Sequence, residues 1–168
     1  MFDFNSFWHA HTPILSILIP AFTSFLLVLL GNPGSGSLKQ DWRQPWRRGI
    51  SLGSALLGLI TAISYLMIAN TGQITVYQLG EWSAPFGIVL VLDRLSAFML
   101  VLTYALAVPV IWYASDNWDT RGRYFHTMFH FLLMGLTGAF LTGDLFNLFV
   151  FFEILLMASY VLLLHGQG

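Results

Sequence analysis

The chain has 168 residues, of which 57% are hydrophobic and 9% charged; a soluble domain carries about 25% charged residues. With a mean hydropathy of +0.72, this composition is that of a membrane protein. A formal net charge of −1 gives no electrostatic case for nucleic acid, and the lack of cysteine excludes disulfides, thiolate metal sites and thiol catalysis.

The start, MFDFNSFWHAHTP, has no Lys or Arg and so lacks the basic region of a secretory signal peptide. The apolar segment after it is expected to remain as a span. Residues 1–12 read either as an interfacial piece, with Phe2, Phe4, Phe7 and Trp8 at the membrane surface, or as a frayed terminus. A helix crossing ~30 Å of hydrocarbon needs ~20 apolar residues, and five segments qualify, at about 13–30, 50–69, 96–114, 124–141 and 145–164. Pro20 and Pro109 fall inside the first and third, where proline is tolerated as a kink. The second is rich in small residues (Ser51, Gly53, Ser54, Gly58) that allow helices to approach closely.

Between spans one and two, GNPGSGS reads as a flexible linker, and KQDWRQPWRR as a basic loop with aromatic anchors Trp42 and Trp46. Between spans two and three, QITVYQL and FGIVLVL flank a turn-rich stretch and predict an outer β-hairpin over about 73–92; the second run could instead open span three. Asp93 and Arg94 read as an interfacial charged pair. Six basic residues (Lys39, Arg43, Arg47, Arg48, Arg121, Arg123) fall on one side and Arg94 alone on the other. The positive-inside rule then puts the N-terminus outside and the two basic loops, with His165, in the cytoplasm. All 168 residues read as one all-α integral membrane domain.

The last span, FNLFVFFEILLMASYVLLL, carries one charge, Glu153. Asp144 is a candidate N-cap of this helix, with a place in an ion path as the alternative. From Asp144 to Glu153 the helix rises ~13.5 Å, and from Glu153 to Leu164 ~16.5 Å. Both distances put Glu153 near the middle of the hydrocarbon, beyond snorkelling range. A central acidic residue costs ~2.5–3.5 kcal/mol, whereas polar contacts between membrane helices return only ~0.6 kcal/mol on average. A proton or cation relay therefore accounts for Glu153 better than a purely structural contact. On a helical wheel it shares a face with Phe146, Phe149, Val150, Met157 and Tyr160, and Tyr160 is its nearest polar neighbour there. His126 and His130, spaced i, i+4, share a face of span four. They read as packing histidines or, for His130, as a relay group; the HTMFH spacing lacks the third ligand of a metal site. No phosphate loop, nucleophile elbow, haem motif or iron–sulfur ligand set is present, so no cofactor or metal is expected and the chain is not read as an enzyme.

Three stretches, ILIP (17–20), YQLGEWSAPFGIVLVLDRLSAFM (77–99) and TGDLFNLFVFFEILLMASYVLL (142–163), resemble the N-terminal part of the D subunits of multisubunit Mrp-type sodium/proton antiporters. That family is related to the antiporter-like, proton-pumping subunits of respiratory complex I. The resemblance implies a roughly fourteen-helix fold with inverted five-helix repeats and an outer hairpin between helices two and three. It also implies a glutamate on helix five that pairs with a lysine on helix seven, and that glutamate falls on Glu153. The only lysine here is Lys39, and the sequence stops after helix five, so it reads as a fragment, as a truncated product, or as a chain whose remainder is supplied by another. The implied partners are other antiporter subunits, lipid, protons and a monovalent cation, with sodium expected, in a bacterial cytoplasmic membrane. A subunit of a redox-driven complex or membrane hydrogenase, and a non-transporting scaffold, are the alternatives.

Overall fold

A computed structural model describes residues 4–31, 42–81, 87–122 and 124–166. The order is α1 (Phe4–Leu29), α2 (Gln44–Asn70), β1 (Thr75–Gln78), a 3-10 turn (Leu79–Glu81), β2 (Val89–Leu92), α3 (Arg94–Ala114), α4 (Phe125–Leu141) and α5 (Leu145–Leu163). Four helices contain segments long and apolar enough to cross a membrane, and α4, with 17 residues, is a shorter apolar helix. At 1.5 Å per residue α4 covers ~25 Å.

The expected hairpin is present as an antiparallel pair with Thr75 opposite Leu92 and Gln78 opposite Val89. Its strands are shorter than the apolar runs that predicted them, and the second run does not open span three. It ends where Asp93 caps α3: the Asp93 carboxylate accepts from Ser96 N at 2.7 Å, and Ser96 Oγ accepts from Asp93 N at 2.8 Å. This reciprocal cap moves the helix start back to Arg94 and holds the half-buried Asp93 carboxyl below the usual carboxylate range through the Ser96 backbone and side chain.

Three sequence expectations are corrected. Trp46, Arg47 and Arg48 do not lie in a loop, because α2 starts at Gln44 with Pro45 in its first turn, where a missing N–H costs nothing. Helix α1 begins at Phe4, nine residues before the predicted span. Asp93 and Arg94 serve separate helices: Arg94 donates to the carbonyls of Ala69 and Asn70 at 3.3 and 3.1 Å, neutralising the end of α2. Arg43 and Arg47 do the same for the end of α1, donating to Leu30 O and Gly31 O at 3.0 and 2.9 Å. The interfacial aromatics expected at Phe2, Phe4, Phe7 and Trp8, the linker GNPGSGS beyond Gly31 with Lys39, and Arg123 lie outside the residues described in full.

Proline and glycine set the helix contacts. Pro20 has no N–H to give the Ser16 carbonyl four residues back. The Tyr104 hydroxyl of α3 donates to that carbonyl at 3.3 Å, so the freed acceptor is satisfied inside the bundle. Helices α2 and α3 meet where the Tyr104 ring lies against Gly58, and α4 and α5 meet where the Phe151 ring lies against Gly138. At Gly135 an added Cβ would sit 2.9 Å from Leu155 Cβ and 3.0 Å from Phe151 O. Of the small residues of α2, Ser51 and Ser54 make hydrogen bonds to other helices, Gly58 packs, and Gly53 faces open space. The core joins Ala55, Ala62 and Tyr65 of α2, Leu100, Tyr104 and Ile111 of α3, and Phe129, Leu133 and Phe151 of α4 and α5.

At the hairpin end, Gly143 N donates to Val89 O at 2.7 Å and Leu90 bridges to Thr142, which ties the α4–α5 turn to β2. Replacing Gly138 by Leu in the complete protein is expected to destabilise the α4–α5 pair by about 1–3 kcal/mol, as overpacked cores do. Gly53→Leu is expected to change stability by no more than about 0.5 kcal/mol. Thermal unfolding in detergent checks both, and equal effects at the two sites would contradict this packing.

Candidate functional site

Two polar regions stand out, and they lie on different sides of α4. The first runs inward from the end of the bundle that carries the basic loops. Arg48 of α2 grips Asp119, in the α3–α4 connection, with two hydrogen bonds of 2.8 and 2.7 Å. His126 Nε2 lies 3.1 Å from Asp119 Oδ2, and His126 Nδ1 lies 3.0 Å from Ser51 Oγ. Ser51 Oγ lies 3.0 Å from His130 Nε2. His130 is 0% exposed, and its Nδ1 is a buried nitrogen with no hydrogen-bond partner among the described residues. The Asp119 side chain is 2% exposed and that of Arg48 28%. Burial alone would push the Asp119 carboxyl up, but the hydrogen bonds from Arg48 and His126 and the charge of Arg48 outweigh it and hold the group well below the usual carboxylate range.

The second region is the outer face of α5. This helix buries Asn147, Phe151 and Ala158, chiefly against α4. Glu153 is exposed on the opposite face, among Phe146, Phe149, Met157 and Tyr160, themselves 61–79% exposed. The wheel-derived neighbours of Glu153 therefore do form one surface, and that surface points away from the rest of the described chain. Asp144 caps α5 by accepting from Asn147 N at 2.6 Å through Oδ1, while its Oδ2 is buried without a partner among the described residues. Tyr160 stays on the Glu153 face, and His130 lies in the other region.

Sequence reasoning singled out the histidines but not Asp119, Arg48 or Ser51. Asp119 precedes His126 by seven residues while Arg48 precedes Asp119 by 71, so only the folded bundle brings them together. Ser51 read as a packing residue of small volume, yet its hydroxyl joins the two imidazoles.

The fold defines a multi-pass α-helical membrane protein with a small two-stranded sheet on one side. No protein-family model matches the chain. It is 48% identical, over 96% of its length, to the D subunit of a probable K(+)/H(+) antiporter of Rhizobium meliloti. It is 41% identical, over 91%, to the D subunit of an Na(+)/H(+) antiporter of Alkalihalophilus pseudofirmus. The chain spans 29% of the length of each of these relatives. The fold superposes on a chain of the Mrp complex from Dietzia sp. DQ12-45-1b with a TM-score of 0.79 and 27% identity, covering 90% of this chain and 26% of that one. A chain of an archaeal respiratory membrane complex, the sulfane sulfur reductase, shares the fold at a TM-score of 0.74 and 24% identity, over 89% of this chain and 29% of that one. Across nearly its whole length the chain is thus similar to proteins named as D subunits of cation/proton antiporters, and in fold to a chain of the Mrp complex.

The Asp119 pairing sets a pH dependence. A carboxyl whose folded pKa lies below its unfolded value stabilises the fold fully above the unfolded value of about 3.9 and loses that contribution as pH falls through the folded value. Asp119→Asn is expected to cost on the order of 3 kcal/mol at neutral pH, because it leaves the Arg48 charge unpaired. It should also flatten the acid limb of a plot of unfolding temperature against pH. An unchanged acid limb in the variant would contradict the assignment.

Proposed function

We propose that this chain is part of the membrane subunit of a cation/proton antiporter complex, driven by the proton-motive force, with Glu153 in the proton and cation path. The observation that carries the reading is the 48% and 41% identity, across nearly the whole chain, to proteins named as D subunits of antiporters. The likeness to the respiratory complex is one of fold, at 24% identity, and this favours the antiporter over the redox-driven alternative. A transporter subunit, not a catalyst, fits both the names of the relatives and the absence of a catalytic constellation in the sequence.

In this reading Glu153 sits near the hydrocarbon midplane, where its carboxyl binds a proton and releases it as an ion-pair partner approaches and withdraws. Its exposed face on α5, lined by aromatic and aliphatic side chains, supports a partner contributed from outside the described residues. Asp144, whose Oδ2 is not used by the cap, and Tyr160, on the Glu153 face, are candidate relay groups, with His130 a third on the inner side of α4. The cluster of six basic residues on one side supports an orientation with the N-terminus outside and both basic loops in the cytoplasm of a bacterial cell. The partners are the other antiporter subunits, the lipid bilayer, protons and a monovalent cation, with sodium preferred.

The test is antiport by the complete complex in everted membrane vesicles, read as cation-induced collapse of a pH gradient, with sodium and then potassium. Glu153→Gln is expected to abolish antiport for either ion while the complex still assembles on a native gel. Normal transport by an assembled Glu153→Gln complex would overturn the mechanism and favour a structural role for the carboxylate.

A further inference from the structure

The hydrogen-bonded chain between α2 and α4 has features that helix packing does not need. Its members alternate between imidazole and hydroxyl, and each can accept a proton on one side while donating on the other. The carboxylate at one end only accepts when ionised, so it fixes the direction of the whole chain. With both imidazoles neutral, His126 Nε2 donates to Asp119, and His126 Nδ1 is left to accept from the Ser51 hydroxyl. Ser51 Oγ then accepts from His130 Nε2. This leaves His130 Nδ1 as a bare lone pair, buried at the inner end and unpartnered among the described residues. A fully buried imidazole placed only for packing needs no such open acceptor.

We infer that Asp119, His126, Ser51 and His130 form a proton wire from the basic-loop surface into the interior of the helix bundle. The inference rests on reading the chain as part of a cation/proton antiporter. A proton arriving at His130 Nδ1 displaces the one on Nε2 to Ser51 Oγ. The Ser51 proton passes to His126 Nδ1, and the His126 Nε2 proton passes to Asp119. One proton enters and one leaves, each N–H or O–H bond broken is matched by one formed, and no charge stays on the imidazoles. The chain resets when the Ser51 hydroxyl rotates and the two rings exchange tautomers. Run backwards, the same steps carry a proton inward.

At the outer end the Arg48 side chain is 28% exposed, while Asp119 behind it is 2% exposed. A cavity of about 550 Å³ opens beside Arg48, lined also by Trp112, Tyr113 and Asp116. Arg48 itself cannot give up its proton. Its two hydrogen bonds hold Asp119 in place and favour the ionised carboxylate, so a proton handed to Asp119 is not retained there. Arg48 is therefore a positioning residue, and the wire begins at Asp119. The wire lies on the inner side of α4, away from the exposed Glu153 face of α5, so it is a route additional to Glu153 itself.

The experiment is the same vesicle assay on the complete complex, with turnover expressed per assembled complex. Ser51→Ala, which removes the link, and His130→Gln, which keeps a hydrogen-bonding side chain but cannot shuttle a proton, are each expected to slow antiport at least about tenfold. Ser51→Thr, which keeps the hydroxyl, is expected to restore turnover, and the solvent deuterium isotope effect is expected to change in the slow variants. An assembled Ser51→Ala or His130→Gln complex within about twofold of the parent overturns the wire. If Ser51→Ala lowers the yield of complex, a Ser51→Thr complex as slow as Ser51→Ala overturns it equally. The two readings separate cleanly: a parent complex with no antiport overturns the proposed function and the wire together. An active parent that is silenced by Glu153→Gln but indifferent to Ser51→Ala and His130→Gln overturns the wire alone.

Discussion

The Asp119 carboxylate is the joint on which this end of the bundle depends. It sits in the α3–α4 connection, receives two hydrogen bonds from Arg48 of α2 and one from His126 of α4, and is almost wholly withdrawn from water. One buried charge thus fixes three pieces of chain relative to one another. Such a site is stable only if its partners stay, since an unpaired charge in a low-dielectric setting is far more costly than no charge. That requirement explains why α2 must be helical from Gln44. Only then does Arg48, one turn into the helix, rise to the level of the loop while Ser51, nearly one turn further, faces the histidines of α4.

The opposite end is held by a different device. There the chain must turn twice, from α2 to α3 and from α4 to α5, and backbone groups in both turns need partners. The hairpin supplies them through Gly143 N to Val89 O and the Leu90–Thr142 bridge, while Arg94 satisfies the last carbonyls of α2. Gly143 allows this approach because an added Cβ would lie 2.8 Å from Val91 Cγ2. Between the two ends, the contacts are aromatic rings on glycine and a tyrosine hydroxyl on a proline-freed carbonyl, which is how a bundle without a hydrophobic driving force gains close van der Waals contact.

Much of this was legible in the sequence, for identifiable reasons. Long apolar segments announce helices whatever their neighbours do, and the alternation in QITVYQL marks a strand that its partner later pairs. Asp144 was legible as a cap because capping is local, reaching only to Asn147. The Asp93–Ser96 cap is equally local and was missed, since the two charges 93 and 94 drew attention to each other instead of to the serine two residues beyond. The Arg48–Asp119–His126–Ser51–His130 set was out of reach for a different reason. No spacing rule connects residues on two helices and a loop, and the one local signal, the i, i+4 histidines, fits packing as well as relay.

Helical periodicity also fixed the neighbours of Glu153 without fixing where that face points. The answer comes from α5 having one strong contact surface, the Asn147–Phe151–Ala158 side that meets the glycines of α4. Once that side is committed, geometry turns Glu153 about half a turn away from it, outward. The same α4 carries His126 and His130 towards α2. Helix α4 therefore acts as a partition, with glycines facing α5 and histidines facing α2. Its two sides differ because they have different tasks: close backbone approach needs the absence of a side chain, and hydrogen bonding across to Ser51 needs a long polar one. A single 17-residue helix meets both demands because residues 126 and 130 lie at its start and residues 135 and 138 further along, so neither requirement displaces the other.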